Sequence, residues 1–363
     1  MFHLKKVFNA LYRKFGPRFF LLFSICCFII YVLRGRKAKY YYMDTERTYG
    51  DANQNILEDV LFSKEKPTPG KTIFFIETKC ERSDLNYNIL NFTAHNACGI
   101  ESAALHHPTH DVYVLVACPT FRPQADPMID AMLSYKNVKF RYVNLWRFAE
   151  GTIIEEWLKT EALFQSKYLM NNMSNLLRLL ALYRYGGIYM DEDVIMFRSL
   201  KDESPNFMGA ETEDSIGNSV IGMEQTGHGR LFSYMFLDDF KRNYSGNVWG
   251  YNGPDVLVRM MKVICGTNDV KLMKKDVTRC LGIKVLDVSA FYEINWLERD
   301  NFFDETPKIV NETLTRLKKS YGMHTWNHVK TNWTQSVNSP SAYIQLVAKN
   351  CPKVFAATGK RFT

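Results

Sequence analysis

Ser174-Asn175-Leu176-Leu177-Arg178-Leu179-Leu180-Ala181-Leu182-Tyr183-Arg184-Tyr185-Gly186-Gly187-Ile188-Tyr189-Met190-Asp191-Glu192-Asp193 is the stretch that decides the fold. Ser174 is a good helix N-cap, and Leu176, Leu179, Leu180 and Tyr183 follow at the spacing of one helical face. Gly186-Gly187 supplies the positive φ that ends a helix, and Ile188 to Met190 is short and apolar, as a buried strand is. The strand delivers Asp191, Glu192 and Asp193 at its carboxyl end. Ligands of open α/β sheets bind beyond that end.

Outward from this unit, the chain alternates buried strands with helices. Ile73-Phe74-Phe75-Ile76 is an apolar run suited to a strand covered on both faces. Ala97 to His106 reads as a helix stopped by His107-Pro108, Asp111 to Ala117 as a second strand, and Val138 to Leu145 as a third. Ile153 to Phe164 reads as a further helix. The alternation predicts an α/β class with parallel members in the sheet. No internal repeat and no second composition regime divides the body, so residues 71–363 are expected to form one domain.

The charge is unevenly placed. Of 46 Lys and Arg residues against 38 Asp and Glu, nine lie in residues 1–40, where there is no acid. The remaining chain has a formal charge of −1, so it lacks the polycation surface that would draw a phosphate backbone, and nucleic acid is excluded as a partner. Between Arg18 and Arg34 run fifteen uncharged residues, a helix of roughly 22 Å against a hydrocarbon core of roughly 30 Å. Snorkelling arginines and a thin membrane accommodate that length. A cleavable signal peptide is the competing reading, but eighteen residues precede the run and no small-x-small site follows it. The expected layout is a cytoplasmic tail (1–18), a signal-anchor helix (19–33), a stem (34–70) ending in Pro67-Thr68-Pro69-Gly70, and a lumenal body (71–363). Five Asn-x-Ser/Thr sequons (Asn91, Asn172, Asn243, Asn311, Asn332) and six cysteines beyond the anchor suit an oxidising lumen. Cys265 and Cys280 are the pair expected to bridge, and no C-x-x-C spacing supports zinc.

Two aspartates one residue apart face the same side of an extended chain and can share a hard divalent cation that also touches phosphate oxygens. Alone such a pair is common. Here a helix, a glycine pair and a strand set it in place.

With that context the sequence resembles glycosyltransferase family 32. It is most similar to the branch of α1,4-galactosyl- and α1,4-N-acetylglucosaminyltransferases, the lactosylceramide 4-α-galactosyltransferase group and its insect relatives included. The resemblance rests on Ser174–Arg178 through Asp193, and on Ile73–Thr78, Cys98–Ala104, Trp249–Pro254 and His324–Asn327, in that family's order over about residues 71–330. It implies a GT-A-like fold, a mixed, mostly parallel sheet flanked by helices. It also implies a UDP-sugar donor (UDP-Gal or UDP-GalNAc), Mn²⁺, retention of configuration, a glycolipid acceptor and a type II place in the Golgi membrane. Carried over residue by residue, Asp191, Asp193 and His324 are the metal ligands, with Asp191 alternatively on the ribose. Glu77, Thr78, Asn175, Arg178 and Asn218 contact the donor. Asn252 and Asp255 lie by the β face of the transferred sugar, with no nucleophile assigned. His328 stands four residues after His324 as a further imidazole. Asn175 departs from the family's acid at that position. It cannot offset the charge of Arg178, and the neighbouring sequon at Asn172 is expected to stay unglycosylated. Trp249, Tyr251, Trp326 and Trp333 are candidates to stack on acceptor sugars. A membrane-anchored lectin on the same fold is the alternative, favoured only by Asn175. A glycoside hydrolase would need two opposed carboxylates and no nucleotide.

Overall fold

The computed structural model describes residues 21–26, 29, 39, 41–42, 55–80, 88–326 and 334–363. Of the anchor expected at 19–33 only residues 21–26 and 29 are among them, and His328, Asn332 and Trp333 lie outside. Among the described residues no helix is long and apolar enough to cross a membrane.

The apolar run at the start of the body becomes β1 (Thr72–Glu77), with Ile73, Phe74 and Phe75 fully buried. After it come α1 (Ala94–His106), β2 (Asp111–Val116), β3 (Val138–Tyr142), α2 (Leu169–Tyr185), β4 (Gly187–Met190) and β5 (Val194–Met196). The chain continues through β6 (Phe207–Ala210), β7 (Ile216–Met223), α3 (Gly227–Arg242), α4 (Pro254–Cys265), β8 (Lys284–Leu286), β9 (Gly322–His324), α5 (Ala342–Asn350) and α6 (Pro352–Ala357). Seven strands form one sheet in the order β8-β6-β7-β4-β1-β2-β3. Only β7 runs against its neighbours, because the short loop from β6 to β7 permits only a return. The other pairs are parallel. This is the mixed, mostly parallel sheet flanked by helices that the resemblance implies. Tyr189 pairs with Phe74, so the carboxyl ends of β1 and β4 share one edge, where the site forms.

Several local expectations change. The central helix begins at Leu169 rather than at Ser174, which lies inside it. Asn175 and Arg178 therefore sit mid-helix, not in its first turn. Gly186 and Gly187 end it at φ 62° and 93°, as their sequence suggests. The third strand stops at Tyr142, because Asn144 caps a short helix (Leu145–Ala149) by accepting from the Arg147 amide at 3.1 Å. The helix expected over 153–164 is broken into Glu155–Leu158 and a 3₁₀ turn at Ala162–Gln165, since Glu161 takes a left-handed φ of 60°. The final part of the expected stem is built into the body. Val60 is fully buried, Ile56 and Asp59 bridge to Phe121 and Tyr142, and the Asp59 carboxylate pairs with Arg147 at 3.3 Å.

All six body cysteines are paired: Cys265–Cys280 as expected, Cys80–Cys118, and Cys98–Cys351. The last ties α1 to the start of α6 across 253 residues of sequence.

Candidate functional site

Asp191, Glu192 and Asp193 occupy the turn between β4 and β5, closed by the Val194 amide donating to the Asp191 carbonyl at 3.0 Å. The extended pair expected from sequence is thus a tight turn, and the two acids still converge. Helix α1 presses directly on it. A Cβ on Gly99 would lie 2.2 Å from the Glu192 carbonyl oxygen, so only glycine fits there. Strand β9 joins β5 in antiparallel register, aligning His324 with Val194. The backbone amide and hydroxyl of Thr325 both donate to the Asp193 carbonyl, at 2.9 and 3.0 Å.

Asp191, Asp193 and His324 each present a ligand atom within 4.8 Å of the others. His324 Nε2 is 3.2 Å from Asp193 Oδ1, and its buried Nδ1 has no partner among the described residues. Carboxylate oxygens with one imidazole make a donor set for a divalent cation, and an orphaned ring nitrogen in the same cluster fits that use. Burial works against a proton on His324, but Asp193, then Asp191 and Glu211, outweigh it and raise its pKa. Trp326 holds the imidazole edge-on at 4.2 Å between centroids, anchored by its indole N–H on the Ile294 carbonyl at 3.0 Å. Its φ of 58° is a strained conformation for a non-glycine residue, and it lies next to His324 of this cluster.

The cluster lies in a cleft of about 650 Å³ lined also by Glu77, Thr78, Asn175, Arg178 and Asn218. Glu77 and Thr78 close β1. Glu77 accepts from the Lys79 amide at 2.6 Å, Thr78 O accepts from the Tyr42 hydroxyl at 3.0 Å, and burial raises the Glu77 pKa. Asn175 accepts from Asn218 Nδ2 at 3.2 Å. Arg178 does not depend on residue 175 for a counter-charge. It pairs with Asp191 at 3.1 Å, donates to the Asn218 carbonyl at 2.7 Å, and lies 4.2 Å over the Tyr189 ring. Asp191 also accepts from the Tyr189 hydroxyl.

Asn252 and Asp255 stand outside the cleft wall. Asn252 is buried, donating to Asn172 at 3.1 Å and to the Ser245 carbonyl at 2.6 Å. Asp255 is exposed in the first turn of α4. Asn172 itself is buried at the cleft wall and donates to Ser166 Oγ at 2.8 Å, which commits its amide nitrogen. Trp249 and Trp326 line the cleft, whereas Tyr251 packs under Arg259.

Two acids were not read as functional. Glu192 is turned toward α1, accepting from Asn96 at 2.6 Å; burial, then Glu77 and the flanking aspartates, hold its pKa well above the usual range. Glu211 follows β6 at its carboxyl end and lines the cleft, with its pKa raised by burial. The strand-end rule that singled out Asp191 would have found Glu211 had Phe207–Ala210 been read as a strand.

The family described as a glycosyltransferase sugar-binding region containing a DXD motif matches residues 93–217, and the α1,4-glycosyltransferase conserved region matches 225–358. Mouse lactosylceramide 4-α-galactosyltransferase is 29% identical over 293 residues, 80% of this chain and 76% of its own. Human α-1,4-N-acetylglucosaminyltransferase is 26% identical over 265 residues, 71% of this chain and 74% of its own. The glycosyltransferase GlyE of Streptococcus pneumoniae superposes with a TM-score of 0.43 at 12% identity, covering 80% of this chain and 62% of that one. The DXD-containing region spans the Asp191–Asp193 turn and the α1,4-glycosyltransferase conserved region spans His324, so each of the two matches carries part of the site.

Proposed function

We propose that the protein is a retaining, Mn²⁺-dependent hexosyltransferase that moves galactose or N-acetylgalactosamine from a UDP-sugar to a glycolipid in α1,4 linkage, anchored as a type II protein with its body in the Golgi lumen. The observation that carries this reading is the convergence of Asp191, Asp193 and His324 in one cleft with Glu77, Thr78, Asn175, Arg178 and Asn218. A bound divalent ion would offset the charge that collects on the departing diphosphate. Asp191, Asp193 and His324 are the residues to hold it, and Arg178 fixes Asp191 in place. Glu77 and Thr78 offer acceptors for nucleobase and ribose, and the Asn175–Asn218 pair offers amides to the transferred sugar. Asn252 is committed to Asn172 and Ser245, and Asp255 lies outside the cleft, so neither has a nucleophile's place. That geometry favours front-face substitution, which needs only oriented charge stabilisation. Three disulfides support an oxidising compartment. The lectin alternative loses its motive, because Asp191 supplies the counter-charge that Asn175 lacks.

The test offers the protein UDP-Gal, UDP-GalNAc and UDP-GlcNAc with Mn²⁺ and neutral glycolipids, and follows UDP release. Asp193→Ala is expected to lower transfer by about 1,000-fold. Transfer that survives it sinks the metal assignment, and saturable glycolipid binding without UDP release revives the lectin.

A further inference from the structure

A second cavity of about 440 Å³ adjoins the reaction cleft and shares Glu211 with it. Its size lies in the range that holds small ligands. Tyr292 stands between the two spaces. It faces the second cavity, its ring lies 5.5 Å from that of His324, and its hydroxyl accepts from the Ser219 amide at 3.2 Å. The cavity therefore lies beside the Asp191–Asp193–His324 cluster, beyond the end of β6, a strand that β7 and β4 separate from β1.

Its wall is polar and fixed in advance. Lys274 holds Glu213 and Asp287, each at 3.1 Å, and Arg316 holds Glu293 at 3.0 Å. Glu211 differs from these. Its carboxylate makes no hydrogen bond or ion pair with the described residues, and it is only partly exposed. A carboxylate that no described residue satisfies, beside a reaction cleft, is an acceptor open to donors, and vicinal hydroxyls supply them. Acids outnumber cations on this wall, so an anionic ligand is repelled and a neutral polyol is not.

We propose that this cavity is the subsite for the second sugar of the acceptor, a neutral hexose whose hydroxyls donate to Glu211. The inference rests on the transferase reading for its place in the reaction, while the binding itself does not require turnover.

Binding of methyl β-galactoside and methyl β-lactoside to the full chain, with UDP and Mn²⁺ present, tests it by titration calorimetry. The disaccharide is expected to bind at least about 10-fold tighter than the monosaccharide, the worth of one well-placed charged hydrogen bond. The methyl glycoside of galactosyl-β1,4-glucuronic acid, with a carboxylate on the second sugar, is expected to lose that advantage. Ser289→Trp obstructs the cavity sterically and Glu211→Gln removes the charge with little change of shape. The ratio of the two affinities should collapse toward one in the first and fall at least about fivefold in the second. Equal affinities in the unmodified protein, or an undiminished ratio in Ser289→Trp, overturn the subsite. Disaccharide binding with the expected ratio but no UDP release from any donor overturns the transferase reading and leaves the subsite standing.

Discussion

Arg178 serves three polar contacts and one aromatic ring with one rigid fork. Its side chain is 7% exposed, pairs with Asp191, reaches Ser174 Oγ at 3.0 Å and the Asn218 carbonyl at 2.7 Å, and stacks on Tyr189. Removing one partner of a buried pair leaves the other charge without compensation. Arg178→Met is therefore expected to lower stability by about 3 kcal/mol and to weaken UDP binding, because Asp191 loses the contact that orients it. Arg178→Lys keeps the charge but not the planar fork, and an intermediate loss of about 1–2 kcal/mol is expected. Urea midpoints of the two variants decide the point; a lysine variant as stable as the parent removes the geometric argument. At this scale the sequence was partly legible. Asp191, Asp193 and His324 could be placed together by motif, but the partner of Arg178 could not, since it lies thirteen residues away across a helix and a strand.

Elements were most readable where one face or both had to be apolar, as in β1, β2 and the body of α2. Their ends were not, because ends are set by caps and by contacts distant in sequence. Thr93 starts α1 and Asn144 stops β3, while Glu161 breaks a helix that its apolar spacing favours. Helix α6 shows how such an end is held. Its six residues start at Pro352, and Glu101 of α1, fully buried, accepts from the amides of Lys353 and Val354 at 2.9 and 2.7 Å and from the Tyr135 hydroxyl at 2.7 Å. All three partners donate, so only a group with two acceptor oxygens satisfies them. Glu101→Gln places an NH₂ against one donor and is expected to cost about 2 kcal/mol, with α6 losing amide-exchange protection before the sheet does. Uniform protection loss across the molecule would show that this cap is not a local clasp. The motif containing Cys98 and Glu101 was visible in the sequence, but its role as the anchor of the C-terminal helices was not. The bond joins residues about 250 apart.

Across the whole molecule, the described body carries little net charge, so its pH response comes from a few buried groups rather than from general repulsion. One such group lies at the corner where α1 ends. His107 is 1% exposed, donates from Nδ1 to the Ala103 carbonyl at 3.0 Å, and accepts from the Leu200 amide through Nε2 at 3.0 Å. It thus joins α1 to the loop beyond β5, behind the Asp191–Asp193 turn. Burial, with His110 and His106 nearby, pushes its pKa down to about 4. His106 and His110 are lowered as well, His110 by burial and Lys71 against the opposing pull of Asp111. The unfolded chain takes up a proton near the ordinary value of about 6.5, before the folded chain can. Stability is therefore intact above about pH 6.5 and declines as pH falls toward 4, by about 3 kcal/mol from His107 if that range is fully traversed. His107→Gln keeps a donor and an acceptor without a titrating ring. Urea unfolding of both proteins from pH 7.5 to 4.5 should show the variant less stable at the upper end, with the gap narrowing or reversing as pH falls. A gap that stays constant across that range would remove His107 as the source, because His106 and His110 are present in both proteins and cancel in the difference.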